Sequence, residues 1–317
     1  MTRSRLRMTG VPAVLFALVV SFGFSACSSN DTNDTAAPST SAARGGCPAT
    51  PVNVVVSVDQ WGDIVSELGG ECAEVTTVLA SSSVDPHDYE PSPADAAAFA
   101  NAQLVVVNGA DYDPWASRFA ATSAPDAPVV DAGTVTTTVE GTNPHLWYSP
   151  SAVNAVADAV TAELSELAPE AKSYFAEQRS AFTTSLAPYD KLIAEIKAGA
   201  AGKTYAATES VFDYTAEDVG LVNKTPQGYQ AASANDSDPS PADLEAFRRA
   251  LADRQIDVLI YNTQTQGSVP EQIRAAAEAA GVPVVDVTET VPPGTTSFET
   301  WQVAQLTALA KALGVTR

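Results

Sequence analysis

Short apolar segments alternate along the chain with segments whose apolar residues recur every three or four positions. The apolar segments have the length and the valine content of buried strands. The first half contains four of them: Val52–Val58, Val75–Leu79, Leu104–Asn108 and Val129–Asp131. The second half contains three: Thr204–Ala207, Val258–Tyr261 and Val284–Val287. Strands that alternate with helices are typical of parallel sheets built from βα units.

Serine followed by proline marks several predicted helix starts, because serine caps a helix and proline suits its first position. The pattern occurs at residues 92–93, 149–150 and 240–241. Further helical patterns cover residues 64–68, 270–280 and 298–313. Residues 227–239 are rich in Ala, Ser, Asn and Asp, and we predict a loop there.

The pattern that begins at Ser149-Pro150 is unusually long and continues past Lys197. Breaks or kinks are expected at Ala168-Pro169 and at Pro188. A helical region of this length does not fit inside one small lobe. The predicted fold class is therefore α/β, with two lobes, each a mostly parallel sheet flanked by helices, joined by one long backbone helix. The first lobe is predicted to cover residues 48–150, the linking region residues 151–199, and the second lobe residues 200–317.

The N-terminus has the features of an export signal. Three arginines stand among the first seven residues, and an apolar core at residues 11–20 is too short for a permanent membrane span. The run at residues 24–27 (FSAC) resembles a bacterial lipobox, whose cysteine becomes the lipidated first residue. We therefore expect a signal peptide over residues 1–26 and a lipid on Cys27. The alternative is an ordinary signal peptide cut nearby, and in both cases the protein leaves the cytosol.

Residues 27–47 contain little that folding could bury, which predicts a flexible tether. Two cysteines remain beyond Cys27, namely Cys47 and Cys72. Outside the cytosol an even pair is readily oxidised, so we expect a disulfide between them. The alternative, that they are metal ligands, would need closer spacing or more thiols.

The formal net charge is −21. So acidic a chain is not expected to bind nucleic acid or anionic lipid. Most of this acidity is typical of a solvated surface, so charge alone does not indicate a cation site.

Only two histidines occur, and both follow proline in a predicted βα loop. His87 lies in the run Asp85-Pro86-His87, and His145 lies in Asn143-Pro144-His145. Ligands gather at such loops in open α/β sheets. Proline stiffens the backbone before each imidazole, and Asp85 and Asn143 are placed to set the ring tautomer. The alternative is a pair of unrelated surface histidines.

These motifs carry a family resemblance. Residues 83–115 contain DPHDYEPSP, then a predicted helix, then a strand that ends in Asn-Gly; residues 143–150 read NPHLWYSP. Both resemble motifs of the zinc/manganese (cluster A-I) family of ABC transporter solute-binding lipoproteins. Gly69-Gly70-Glu71 and the long helix match in order, so the resemblance covers nearly all of the mature chain.

The resemblance implies four metal ligands. His87 and His145 come from the first lobe. Glu209, in a strand-to-helix turn, and Glu289, after the last major strand, come from the second, with Asp286 as the alternative to Glu289. Other interpretations are that Glu209 only favours a helix N-terminus and that Glu289 is a solvated loop residue.

The implied function is capture of Zn²⁺ or Mn²⁺ as a transported ligand and delivery to an ABC permease with its ATPase. The protein would be a lipid-anchored extracytoplasmic monomer and not an enzyme. Two imidazoles and two carboxylates neutralise a dication, and binding should weaken as pH falls through the histidine range near ~6.5. Many zinc-binding members of the family have a third histidine ligand and a His-rich loop, and this sequence has neither, which favours manganese. The intrinsic affinity of such a ligand set favours zinc over manganese.

Other functions would use the same residues differently. A secreted metal-dependent hydrolase needs an open coordination position and a general base, and the sequence contains neither HExxH nor a serine nucleophile elbow. A solute-binding protein for a larger metal chelate needs a wide cleft lined by arginine or aromatic residues. An additional adhesin role is compatible with either.

Overall fold

The structure of the protein is a computed structural model that describes residues 46–80, 89–139, 141–235, 237–265 and 267–315. The described residues belong to one unit, Ala43–Arg317. The predictions for the signal peptide, for Cys27 and for His87 concern residues outside this described part.

The first sheet has four parallel strands: β1 (Val52–Val58), β2 (Ala73–Leu79), β3 (Leu104–Val107) and β4 (Val129–Asp131). Their order is β2-β1-β3-β4. The two central strands are almost wholly apolar because helices cover both faces of the sheet. These helices are α1 (Asp59–Gly69), α2 (Pro93–Ala98), α3 (Pro114–Ser123) and α4 (Ala132–Val135).

The second sheet repeats this arrangement with β5 (Thr204–Ala207), β6 (Val222–Asn223), β7 (Val258–Asn262) and β8 (Val284–Val287). The order is β6-β5-β7-β8, again parallel. The helices that follow the linking region are α8 (Asp213–Asp218), α9 (Gln227–Ser233), α10 (Pro241–Ala252), α11 (Ser268–Ala280) and α12 (Phe298–Ala312). Strand β6, with two residues, was too short for the sequence pattern to predict.

Both sheets have a point at which the strand order reverses, between β1 and β3 and between β5 and β7. In open α/β sheets the crevice outside the carboxyl ends of the strands at such a point is the usual binding position. The predicted fold class, two parallel sheets flanked by helices and connected through a long helical region, is confirmed.

The helical region between the sheets divides where the sequence predicts breaks. Helix α5 (Pro150–Leu167) ends before Pro169, and α6 (Lys172–Ser185) and α7 (Ala187–Ala200) follow. Arg179 on α6 donates to Asp158 at 2.8 Å and to Asn154 at 3.0 Å, so α6 folds back along α5. The connection to the second sheet is therefore made by residues 169–200, the later part of the predicted linking region.

No helix among the residues that the structure describes is both long and apolar enough to cross a membrane.

The largest hydrophobic cluster of the described residues runs through both lobes, and each lobe also has a smaller cluster of its own. Tyr148, at the end of the first lobe, has its ring 5.3 Å from that of Phe212 and 5.8 Å from that of Trp301. Its hydroxyl donates to the carbonyl of Thr288 at 2.7 Å. Aromatic packing and a hydrogen bond join the lobes at this contact of Tyr148 with Phe212, Trp301 and Thr288, which we call the seam. Opening the seam would expose apolar surface to water.

The predicted loop at residues 227–239 is wrong in its first half, which forms α9. Tyr229 is buried, with its ring 4.8 Å from that of Phe247 on α10. A Cβ atom at Gly228 would collide with the carboxylate of Asp243, so glycine permits this close approach of the two helices. Tertiary packing thus orders a segment whose composition alone is typical of a loop.

Cys47 and Cys72 form a disulfide with their Cα atoms 5.2 Å apart, and both residues are buried. The bridge joins the segment before β1 to the turn before β2. It closes a loop with a sequence separation of 25 residues.

Replacing both cysteines by serine should lower the free energy of unfolding by about 3.5 kcal/mol, since the unfolded chain regains the freedom of that loop. Urea denaturation measures the loss, and reduction of the wild-type protein should produce a similar one. Unchanged denaturation midpoints in both cases would contradict a stabilising disulfide.

Candidate metal centre

Three of the predicted ligands meet at the seam between the lobes. His145, Glu209 and Glu289 each offer a ligand atom, and these atoms lie within 4.8 Å of one another. His145 comes just before the turn that leads into α5. Glu209 follows β5 by two residues, and Glu289 follows β8 by two residues. The strand ends of the second sheet therefore bring the acidic residues to the imidazole.

The imidazole of His145 is oriented by Asn143. The Asn143 Oδ1 atom lies 2.6 Å from His145 Nδ1, while Asn143 Nδ2 donates to the carbonyl of Ser210 at 2.7 Å. A carbonyl oxygen only accepts, so this amide orientation places the ring hydrogen on Nδ1. In the neutral ring the lone pair then lies on Nε2, the atom that faces Glu289. The predicted role of Asn143 in setting the tautomer agrees with this geometry.

A buried polar network holds the loop that carries His145. Asn108, which follows β3, accepts from the indole of Trp61 at 2.9 Å and donates to the carbonyl of Pro144 at 2.9 Å. The carboxylate of Asp113 accepts from the amides of Asn108 and Gly109, each at 2.8 Å. Burial raises the pKa of Asp113, and these two amides oppose that rise. The position of His145 is thus fixed by the first lobe.

Tyr112 links the lobes at the site itself. Its hydroxyl donates to Glu289 Oε2 at 3.1 Å, and its ring centroid lies 6.0 Å from that of His145. Burial, followed by the charge of Glu289, raises the pKa of Tyr112 well above its ordinary value. The hydroxyl therefore keeps its proton and serves as a neutral donor to the carboxylate.

Glu289 is fully buried, so its interpretation as a solvated loop residue is wrong. Gln264 Oε1 accepts from the backbone amides of Glu289 and Thr290 at 2.6 and 2.9 Å, which fixes this turn. Asn262 Nδ2 donates to Glu289 Oε1 at 2.8 Å. Asp286, the alternative ligand, instead lies 2.6 Å from Arg274 with its side chain half exposed. The structure brings Glu289 rather than Asp286 to the site.

Glu209 stands at the N-cap of the turn Ser210–Phe212, but its side chain makes no capping hydrogen bond. It accepts instead from Asn262 Nδ2 at 2.8 Å and from the hydroxyl of Thr265. The interpretation as a helix N-terminus residue therefore does not account for its side-chain position.

His145 Nε2 and Glu289 Oε2 lie 3.5 Å apart. It exceeds the usual length of a hydrogen bond. A tetrahedral ion with bonds of about 2.0–2.2 Å separates its ligand atoms by about 3.3–3.6 Å. The two atoms are spaced as ligands of one ion would be.

Sequence reasoning did not single out Tyr112, Asn262 or Gln264. Asn262 could have been found from its position, because it comes directly after the predicted strand Val258–Tyr261, at the edge of the sheet where ligands gather. Trp115, the last residue of the first motif region, has its ring centroid 5.2 Å from that of Tyr89.

A family model described as zinc-uptake complex component A, periplasmic, matches residues 54–312. The chain belongs to this family. The family resemblance expected from the two proline–histidine motifs is confirmed.

Relatives in this family are named for different metals. The high-affinity zinc uptake system protein ZnuA of Bacillus subtilis is 25% identical over 62% of this chain and 66% of its own length. The manganese-binding lipoprotein MntA of Halalkalibacterium halodurans is 26% identical over 45% of this chain and 48% of its own. The alignments thus span about two thirds and about half of these relatives.

Solved structures share the fold. The solute-binding protein FpvC of Pseudomonas aeruginosa, in complex with Mn²⁺, superposes with a TM-score of 0.69. Its sequence identity is 22%, and the superposition covers 84% of this chain and 99% of that one.

The orientation of His145 can be tested by ¹⁵N NMR of the metal-free protein above the ordinary histidine titration range. We expect hydrogen on Nδ1, in contrast to the Nε2–H form that free imidazole side chains favour. A His87→Ala variant assigns the signal, since only two histidines occur. The Asn143→Ala variant should shift His145 towards the Nε2–H form, and an Nε2–H tautomer in the wild type would contradict the assignment.

Proposed function

We propose that this protein is an extracytoplasmic solute-binding protein that captures Zn²⁺ or Mn²⁺ and delivers it to an ABC importer. The observation that carries the proposal is the convergence of His145, Glu209 and Glu289. His87, from the first Pro-His motif, is proposed as the fourth ligand on the sequence evidence.

Electrostatics supports a cationic ligand. Glu289 is fully buried, and Glu209 is partly buried close by. Bringing two carboxylates together away from water is costly unless a positive charge compensates them. The ion pairs of arginine in the described residues, such as Arg179–Asp158 and Arg274–Asp286, lie on other parts of the fold. A dication bound by the cluster would balance both charges.

The donor set supports both metals. Imidazole nitrogen and carboxylate oxygen suit zinc, and a site rich in oxygen also suits manganese. The family relatives named for zinc and for manganese are consistent with this range.

We further propose that the protein binds the ion and does not catalyse a reaction. A catalytic zinc keeps one coordination position open for water. Four protein ligands would close the coordination shell, which suits capture and release. The metal-dependent hydrolase and the carrier of a larger chelate gain no support from a small site of this kind.

The remaining features of the proposal come from the N-terminus and the family. Export by the signal segment and lipidation at Cys27 would hold the protein at the outer face of the cell membrane, where it would act as a monomer. Its partners would be a membrane permease and the cytoplasmic ATPase that drives it. The family supports both partners, since its model describes a component of an uptake complex.

Release of the ion is proposed to need only small movements. The linking helices and the aromatic seam at Tyr148 oppose a wide hinge opening. The carboxylates of Glu209 and Glu289 are held by hydrogen bonds from side chains, whereas the neighbouring Phe212 and Thr288 belong to the contact with Tyr148. Rearrangement of the two acidic side chains within their loops would separate them from His145 at lower cost than separation of the lobes.

Isothermal titration calorimetry with Zn²⁺ and Mn²⁺ tests the site. The wild type should bind one ion, and His145→Ala, Glu209→Gln and Glu289→Gln should each weaken binding at least about 100-fold because a ligand is lost. Asp286→Asn is the matched control: it removes a carboxylate three residues from Glu289, and affinity should stay within about twofold.

Failure of the wild type to bind either ion would end the proposal, as would equal affinities for Glu289→Gln and Asp286→Asn. Delivery is tested separately, by metal uptake in cells that carry the cognate permease. Uptake should depend on the wild-type protein and be lost with Glu289→Gln.

The release mechanism predicts that metal-free and metal-bound protein have nearly the same small-angle X-ray scattering profile. A constrained hinge leaves the radius of gyration almost unchanged, whereas closure of two separating lobes would reduce it. A clear contraction on addition of Zn²⁺ would contradict a mechanism confined to the loops.

A further inference from the structure

The three residues that converge at the metal centre differ in their access to solvent. Glu289 is 0% exposed and His145 is 2% exposed, whereas Glu209 is partly exposed. The seam at Tyr148 opposes separation of the lobes, which would expose the two buried residues. Among these three residues, Glu209 is therefore the one that an ion arriving from solvent meets first.

A small cavity of about 10 Å³ adjoins Glu209 in the second lobe. Asp213, in the first turn of α8, and Gln230, on α9, also line it. Among the described residues, the lining contains two carboxylates and neither lysine nor arginine. The volume suits about one water molecule. A cation that passes this way must shed most of its hydration shell, so side-chain oxygens have to replace the lost water.

Asp213 lies close enough to the metal centre for the two to interact electrostatically. Burial raises the pKa of Asp213, and a hydrogen bond from Tyr205 at 2.8 Å and the positive charge of protonated His145 oppose that rise. A cation bound beside the imidazole acts with the same sign, so Asp213 in turn attracts a cation towards the centre. At the cavity wall, burial followed by the charge of Glu209 raises the pKa of Tyr229, which shows that this charge also reaches the cavity.

Negative charge along a narrow approach raises the local concentration of cations and the rate at which they associate. We propose that the ion reaches the centre along this cavity and that Asp213 sets the rate of capture, because its carboxylate draws the cation in and replaces lost water before Glu209 binds it. The inference rests on the function proposed above, since it takes Glu209 as a ligand. It concerns how fast the ion is captured and not which ion is bound.

Three variants separate this role from a general effect of charge. Asp213→Asn removes the charge and keeps an oxygen that can accept from Tyr205. Glu217→Gln is the matched control, because it removes a carboxylate one turn later on the same helix, where the side chain is exposed and does not line the cavity. Gln230→Glu adds a carboxylate to the cavity lining at unchanged side-chain length.

Stopped-flow fluorescence measures the association of Zn²⁺ and Mn²⁺, since the ring of Trp147 lies 5.4 Å from that of His145 and responds to occupation of the centre. Excess chelator gives the dissociation rate. Asp213→Asn should lower the association rate constant at least about threefold, most clearly at low ionic strength, with dissociation within about twofold of wild type. Glu217→Gln should leave both constants within about twofold, and Gln230→Glu should raise the association rate constant at least about twofold.

An unchanged association rate in Asp213→Asn would overturn the inference. A loss of affinity caused mainly by faster dissociation would also overturn it, because the charge would then act on the bound ion and not on its entry. Equal slowing in Glu217→Gln would show a general field effect and contradict the role of the cavity. If Asp213→Asn did not fold, an unchanged association rate in Gln230→Glu would refute the proposal.

The proposed function and this inference fail in different ways. If the wild type bound neither metal, the proposed function would fail. Normal wild-type affinity together with an association rate that does not respond to Asp213→Asn would refute only the role of Asp213.

Discussion

Glu289 is buried without contact with water, next to Glu209 and facing the imidazole of His145. Two negative charges in such a place would oppose folding unless something compensated them. Much of the surrounding structure serves to hold this arrangement: the strand ends of the second sheet, the loop before α5 and the seam between the lobes. The proposed dication would convert an unfavourable cluster into a stable centre.

Several described residues support the carboxylates through neutral groups. Tyr112, Asn262 and Thr265 donate hydrogen bonds to them through hydroxyl or amide groups. A lysine or arginine in the same positions would satisfy the carboxylates and compete with a metal ion for them. Neutral donors orient the oxygens and leave the negative charge for the cation, which is the property that a capture site needs.

The seam explains why the halves of the site stay in register. The Tyr148 hydroxyl bonds to the carbonyl of Thr288, the residue before Glu289, and the Asn143 amide bonds to the carbonyl of Ser210, the residue after Glu209. Each acidic residue of the second lobe is thus tied through its neighbour to the segment of the first lobe that carries His145. Distances between ligands from different lobes are set by these contacts.

The sequence by itself determined the fold class, the strands with long valine-rich runs, the breaks at Pro169 and near Pro188, and the Pro-His motif of His145; its family resemblance indicated Glu209 and Glu289 as candidates. These features depend on local chemistry: apolar periodicity, proline geometry and motifs of a few residues. Only the tertiary structure decided between Glu289 and Asp286, because the difference lies in which side chain faces Arg274 and which faces the seam. Helix α9 and the contributions of Tyr112, Asn262 and Gln264 were likewise decided by the tertiary structure. Their partners are distant in sequence, so no local pattern contains the contacts that order them.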